Sequence, residues 1–390
     1  ASDPTELSTL NRLTGLYQAD ELEAMKGLNY DLLDKYWETG FTMKHSVNLS
    51  GATERASYFG SISYFDQEGN LGNLDYDRWN FRAGIDVKVS KWLSANLNVS
   101  GDYGKKNTPY IKIGGSSNEK DYNILLTRPR YIPEYVNGLP IAAYGISNTE
   151  KDDDQNYSFS TLRNNGDYSR EMNSNLNIQA GLTYDFGWSK ILKGLKLRFT
   201  YSKSISTDKT NQYGSTFDIY TMTKRTGSGQ HLYTPIAGED YAPYIDPSNM
   251  QVHNLSNGDA QINRTMLRSD NYQMNFTASY NRDFGLHSVG ALFSIEKSEA
   301  ESEYMYGMIT DPLPFNNGQS NTATGEKTLE WARSESGTLS YIGRVNYAYA
   351  NKYLLEFLIR SDASTKFAPA NYWGVFPSFS AGWVMSEENW

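Results

Sequence analysis

Residues able to do covalent or metal chemistry stand in no reactive pattern in this chain of 390 residues. The four histidines, His45, His231, His253 and His287, are scattered, with neither His-x-His nor HExxH spacing. No zinc-type ligand set is therefore formed by sequence neighbours. His45 lies on an apolar face near a strand end and reads as a boundary residue rather than a ligand. There are no cysteines, which excludes disulfides, thiolate metal sites and Cys nucleophiles. No phosphate-binding loop occurs, and Gly227-Ser228-Gly229-Gln230 is loop chemistry only. Lys151-Asp152-Asp153-Asp154-Gln155-Asn156 offers oxygens to calcium but lacks the EF-hand spacing and its Gly, so a solvated loop is the favoured reading. What remains is binding chemistry. Tyr110, Tyr122, Tyr131, Tyr135, Tyr144, Tyr213, Tyr220, Tyr233, Tyr241 and Tyr244 fall in or near long connections. A Tyr ring stacks on a sugar or packs on a peptide side chain, and its hydroxyl adds a polar handle. These are the candidate contacts. The plainer alternative is that the loops fold on each other or on a partner.

The elements that position these residues are legible in the alternation. Trp79, Phe81, Ala83, Ile85, Val87 and Val89 alternate with Asn80, Arg82, Gly84, Asp86, Lys88 and Ser90. Leu93, Ala95, Leu97, Val99 and Gly101 alternate with Ser94, Asn96, Asn98, Ser100 and Asp102. Met43–Gly51, Ala56–Phe65, Met172–Phe186, Leu195–Tyr201, Tyr272–Phe284, His287–Glu296, Leu339–Tyr349, Tyr353–Arg360 and Val375–Met385 repeat the pattern. About eleven strands result, in five hairpins and a trailing strand. Soluble strands average about five or six residues, whereas a membrane-crossing strand needs roughly 9–11. The mean hydropathy of -0.62 is too polar for a helical membrane protein, and no apolar run of helix-spanning length exists. A barrel meets lipid with alternate residues only, so it passes that test. The expected fold is all-β, a transmembrane antiparallel barrel in the outer membrane. With a net charge of -9, nucleic acid is not an expected partner.

Connections alternate in length. Ala52–Arg55, Ser90–Lys91, Gly187–Gly194, Phe284–Leu286 and Asn351–Lys352 are short; residues 105–169, 206–268 and 304–336 are expected as long loops. Short turns face the periplasm and long loops the exterior. Trp92, Trp188, Phe284 and Tyr353 beside the short turns fit an aromatic girdle, and His45 a membrane boundary. Residues 1–40 read as an extracellular loop with short helices, Glu21–Lys26 (N-cap Asp20) and Leu32–Lys35, and residues 41–390 as the first part of the barrel. An odd strand count leaves open edges that hydrocarbon does not tolerate, so a fragment lacking both ends is expected. The inward-facing Asn80, Arg82, Asp86, Asn96, Asn98, Asn173, Asn175 and Asn177 would make a polar wall.

Several blocks resemble a known family. His45–Glu54 with Gly51, Phe65–Gly69 with Gly69, Arg78–Arg82 with Arg78, and Lys91–Leu93 resemble the early barrel of SusC/RagA-type TonB-dependent transporters of Bacteroidetes. Pro129–Tyr135 is similar to a Pro-aromatic stretch in one of that family's long loops. The strongest block is Arg360–Phe367, with Asp362 and Phe367, followed by Trp373, Gly374, Phe376, Pro377, Ser378 and Trp383. Ala363 departs from the usual Gly there, which should alter a turn, and Ser364-Thr365 is a mild variant. The resemblance implies a barrel of about 22 strands, with a plug domain and a TonB-contacting segment that are not read in this chain. It implies import of a nutrient, an oligosaccharide first and an oligopeptide second. It implies a SusD-like surface lipoprotein as partner, outer-membrane lipid around the barrel, no cofactor and no enzymatic activity. A passive porin and an adhesive structural barrel remain alternatives from the residues alone.

Overall fold

A computed structural model describes residues 26–71, 74–110, 122, 125–136, 138–146, 158, 166–215, 217–222, 234–235, 243–244, 250–255, 260–313 and 318–388. Among the described residues one short helix, α1 (Leu32–Tyr36), precedes the sheet; the Asp31 side chain caps it by accepting from the Asp34 N–H at 3.1 Å. Then follow β1 (Thr42–Ala52), β2 (Ala56–Glu68), β3 (Asp75–Lys88) and β4 (Leu93–Thr108). Short strands β5 (Tyr135–Val136) and β6 (Leu139–Ile146) lead to β7 (Tyr168–Asp185) and β8 (Leu195–Gly214). Next come β9 (Phe217–Met222), β10 (Thr234–Pro235), β11 (Pro243–Tyr244) and β12 (Met250–Leu255), again short. The chain closes with β13 (Gln261–Phe284), β14 (His287–Thr310), β15 (Lys327–Tyr349), β16 (Tyr353–Ser364) and β17 (Trp373–Trp383).

The long strands form one antiparallel 11-stranded sheet in sequence order, β1-β2-β3-β4-β7-β8-β13-β14-β15-β16-β17. Its stagger is visible in one row of paired residues: Val87, Ala95, Leu182, Phe199, Phe276, Ile295, Tyr341, Ser361 and Val375. The row begins beside a short turn and ends at the start of β17 beside a longer connection. A row at right angles to the strands thus climbs from one membrane boundary to the other, as barrel tilt requires.

Parity gives the sheet two chemically different faces. On the outward face Val47, Ile62, Phe81, Leu97, Phe293, Phe357 and Phe379 are exposed. In water such a surface would be anomalous; in lipid it is the contact layer. Aromatic rings edge the layer on both sides. Trp188, Phe284, Tyr353 and Trp383 stand near the short turns. On the other side Tyr64 packs on Trp79 at 4.7 Å and Tyr341 stacks on Trp373 at 5.7 Å. Tyr341 and Tyr349 lie about 26 Å apart along β15 at ~3.3 Å per residue. Corrected for strand tilt this is roughly 20 Å, close to the apolar band of an outer-membrane barrel.

The central strands run further outward than the sequence pattern shows. The long connections occupy residues 109–167, 215–260 and 311–326, not 105–169, 206–268 and 304–336. The pattern breaks because the outward face changes chemistry above the lipid. There Arg333 pairs with Glu301 at 2.9 Å, Glu303 at 4.0 Å and Glu335; Arg268 pairs with Asp270 at 3.3 Å and Glu303 at 3.9 Å; Lys203 pairs with Asp270. Past these charges, Tyr213, Ile262 and Ile309 form a small core with Tyr168 and Ala323, so the 311–326 connection folds against the strand tips. The Arg264 guanidinium donates to the Gly318 carbonyl at 3.2 Å and fastens it there.

The connections also hold structure of their own. Strands β12, β9, β6 and β5 make a four-stranded sheet in that order, with β6 parallel to β9. Residues 109–167 and 215–260 are thereby joined. α1 docks on the 125–136 stretch: Lys35 pairs with Glu134, Arg130 with Asp31 at 2.8 Å, and Tyr30 N–H donates to the Arg130 carbonyl at 2.7 Å. Residues 1–25, which hold Asp20 and most of the Glu21–Lys26 stretch, lie outside the described residues.

Candidate functional site: the lumenal wall

The polar parity of the strands converges on the concave side. Side chains from β2 to β16 line one cavity of about 790 Å³, among them Phe59, Arg82, Asn98, Asn177, Ser202 and Ser298. Only the inside of a curved sheet brings so many strands to one space. Most inward residues at this level are amides and hydroxyls, with Phe59 and Ala300 apolar and Arg82 and Lys366 charged. The Arg82 guanidinium lies over the Phe59 ring at 5.4 Å. Toward β16 the wall becomes more ionic: Arg360 holds Asp362 at 2.7 Å, approaches Glu296 at 3.7 Å and donates to the Ser340 hydroxyl at 3.2 Å. Toward β3, Arg78 pairs with Asp102 at 3.3 Å, and Asn175 donates to the same carboxylate at 3.1 Å.

A local rule shapes this wall. Asn98 stands opposite Gly84, Asn96 opposite Gly181, Asn173 opposite Gly104 and Asn281 opposite Gly290. In each pair the amide oxygen fills the space a glycine Cβ would take. The amide therefore lies flat across the neighbouring strand and presents its donors and acceptors to the lumen without narrowing it.

The residues singled out by family resemblance lie in strand pairs and connections of the sheet. The Gly51 site is covered by the Tyr58 ring of the paired strand. Gly69 N–H donates to the Leu74 carbonyl at 2.6 Å and closes the β2–β3 connection. Phe367 N–H donates to the Ser364 carbonyl at 3.2 Å in the β16–β17 connection. Gly374 pairs with Asp362, Phe376 with Arg360, Pro377 with Ile359 and Ser378 with Leu358. The Trp383 indole donates to Glu388 at 3.2 Å.

The candidate tyrosines separate into groups. Tyr110 turns into the lumen: its ring lies against Gly214, and its hydroxyl accepts from the Gln261 amide. Tyr122 packs on Trp37 at 5.3 Å, above the rim, and Tyr131 and Tyr135 sit in the stretch that holds α1, with Tyr135 exposed. Tyr220 is partly buried in the small four-stranded sheet. Tyr213 is buried in the outward-facing core and turned away from the lumen, so its role is packing; its hydroxyl is pushed above the ordinary phenol value by burial, then by Asp167 and Tyr168. Tyr244 pairs with Thr234, and nothing is described of its side chain or of the Tyr144 side chain. Tyr233, Tyr241, His231 and the 151–156 acidic run lie outside the described residues. Among the described residues no group of His, Cys, Asp or Glu is placed to hold a metal ion.

Sequence patterning misses two residues beside Tyr110. Tyr304 and Tyr306 sit inward on the outer half of β14, facing Ala332 and Glu330 of β15. The Tyr306 hydroxyl lies above its ordinary value because of burial first, and then Tyr110, Glu330 and Tyr304 beside it. The strict alternation of Glu299, Glu301, Glu303 and Met305 with Ser302, Tyr304 and Tyr306 is the available signal.

No family model matches the chain. It is similar to the TonB-dependent receptor P3 of Formosa agariphila, 24% identical over 367 residues, which is 93% of this chain and 32% of that protein. It is also similar to the TonB-dependent receptor SusC of Bacteroides thetaiotaomicron, 25% identical over 379 residues, 95% of this chain and 34% of SusC. The chain thus spans about a third of the length of the curated relatives it matches. Among solved structures it resembles the RagAB peptide transporter, with a TM-score of 0.58 and 19% identity over 93% of this chain and 36% of that one. The same transporter in an 'open-open' state gives 0.59. By sequence and by fold the chain is similar to TonB-dependent receptors of the SusC/RagA type, and it builds a transmembrane antiparallel β-barrel wall in the outer membrane.

Proposed function

We propose that this chain forms part of a TonB-dependent importer that takes up a neutral oligosaccharide together with a SusD-like surface lipoprotein. The amide-and-hydroxyl lining of the lumen carries the reading of the cargo. Asn98, Asn177, Gln179, Asn271 and Gln273 offer planar donor–acceptor pairs, and Ser100, Ser202, Ser298 and Thr338 offer hydroxyls. Such a surface matches hydroxyl-rich rings, whereas a peptide also asks for apolar pockets and charges for its termini. The exposed Tyr122 and Tyr135, with Tyr131 near them, face the side where a lipoprotein would cap the barrel. Import would require TonB to displace a plug within the lumen.

An oligopeptide cargo is the second reading, favoured by the fold shared with a structure named as a peptide transporter. The deciding experiment uses the full-length protein. Uptake of labelled oligosaccharide should stop when TonB is removed, and the lipoprotein should copurify from detergent-solubilised membranes. Uptake that persists without TonB would overturn active import and support a passive pore. Binding of peptides but no glycans by the purified complex would overturn the cargo.

A further inference from the structure

We infer that Tyr110, Tyr304 and Tyr306, with Leu267, form a ring-stacking subsite for an oligosaccharide at the outer mouth of the lumen, above the amide-lined cavity. The inference rests on the oligosaccharide reading proposed above.

Register places the strand residues. Leu267 pairs with Tyr304, and Thr265 with Tyr306. Leu267, Tyr304 and Tyr306 have the parity of the cavity-lining Asn271, Ser298 and Thr338, so they face the lumen. Tyr110 joins them from the β4 side, through Gly214 and the Gln261 amide. Tyr306 stands about 26 Å further out along β14 than Ser298, at ~3.3 Å per residue. A membrane girdle does not explain rings at that height, because the outward positions beside them are the Arg268–Glu303 and Arg333–Glu303 ion pairs, which no hydrocarbon covers. Ala332 opposite Tyr304 is small and places no large side chain beside that ring on β15. Glu330 opposite Tyr306 and the Gln261 amide beside Tyr110 supply polar groups at the edge of the rings. Flat aromatic faces bordered by a carboxylate and an amide suit a sugar, whose C–H face stacks while its hydroxyls bond sideways.

The test uses the full-length protein with its lipoprotein and an array of neutral hexasaccharides, followed by calorimetry on the hits. Tyr304→Ala and Tyr306→Ala should each weaken binding about tenfold, while the Phe variants, which keep the ring, should stay within about twofold. Tyr304→Leu and Tyr306→Leu keep apolar bulk and should also weaken binding, which covers the case of an Ala variant that does not fold. Met305→Ala, on the outward parity, should bind as the parent does. Parent-like affinity in the Ala and Leu variants would overturn the subsite and leave the cargo reading standing. A parent protein that binds no hexasaccharide would overturn both.

Discussion

Strands β1, β16 and β17 and strands β13, β14 and β15 cross the same membrane at very different lengths. β1, β16 and β17 have 11, 12 and 11 residues, about the minimum for a tilted crossing. β13, β14 and β15 have 24, 24 and 23. The first group spends nearly its whole length against lipid. The second leaves the lipid near Tyr341 and continues outward, with charge pairs where apolar side chains would otherwise stand. Backbone pairing is thus one continuous property, while the medium outside decides the side chains. β16 ends at Ser364 opposite Thr338, so among the described residues the outer part of β15 pairs with β14 alone.

The largest contrast should come from one substitution made in both regions. Phe357→Arg places a charge in the lipid layer of β16 and should cost about 2–4 kcal/mol in reversible unfolding from vesicles. Trp331→Arg on the outer half of β15 should cost less than about 0.5 kcal/mol. Equal costs would break the distinction between the regions. Turn-side and loop-side glycines should differ next. Gly194 has φ +98, and the Asn281 carbonyl occupies the place of a Cβ, so Gly194→Ala should cost about 1–3 kcal/mol. Gly307, with nothing near its missing Cβ, should tolerate alanine without loss.

The ion pairs outside the lipid should matter less. Arg333→Ala should lower stability only slightly at low salt, by less than Gly194→Ala does. The difference should fade at 1 M salt, where screening acts over about 3 Å. A loss that ignores salt would place Arg333 in a drier setting than its exposure indicates. The smallest effect is a pH dependence at the inner ends of β16 and β17. Glu388 accepts from the Tyr353 hydroxyl and the Trp383 indole and lies 3.5 Å from Lys352, and these contacts hold its carboxyl below the ordinary value. A lowered carboxylate contributes stability above its unfolded value, and the contribution is lost as pH falls through the folded one. Hydrogen-exchange protection at the 384–388 turn, taken relative to the intrinsic rate at each pH, should therefore stay constant down to the ordinary carboxylate range and fall below it.

Much of the wall was legible because lipid imposes a strict code. Val47, Phe81, Ile85 and Phe357 are apolar at alternate positions for one physical reason, and hairpins such as β3–β4 follow from it. The outer halves were not legible because water imposes no such code. Gln261–Arg268 and Tyr304–Thr310 read as loops once Arg264, Arg268, Glu301 and Glu303 replaced apolar residues on the outward face. Tyr304 and Tyr306 were lost with them. Tyr213, read as a cargo contact from its place near a loop, is instead buried with Ile262 and Ile309, since parity at a strand tip depends on a register that spacing alone does not reveal.

Depth in the membrane is the property to measure. This stretch has no cysteine, so single cysteines can be placed at will in a full-length protein cleared of any others. Leu329→Cys and Trp331→Cys should react in intact cells with a membrane-impermeant maleimide, while Val345→Cys, Phe357→Cys and Phe379→Cys should react only after detergent. Protection at 329 and 331, or labelling at 345, 357 and 379 in intact cells, would contradict the division of these strands between lipid and water.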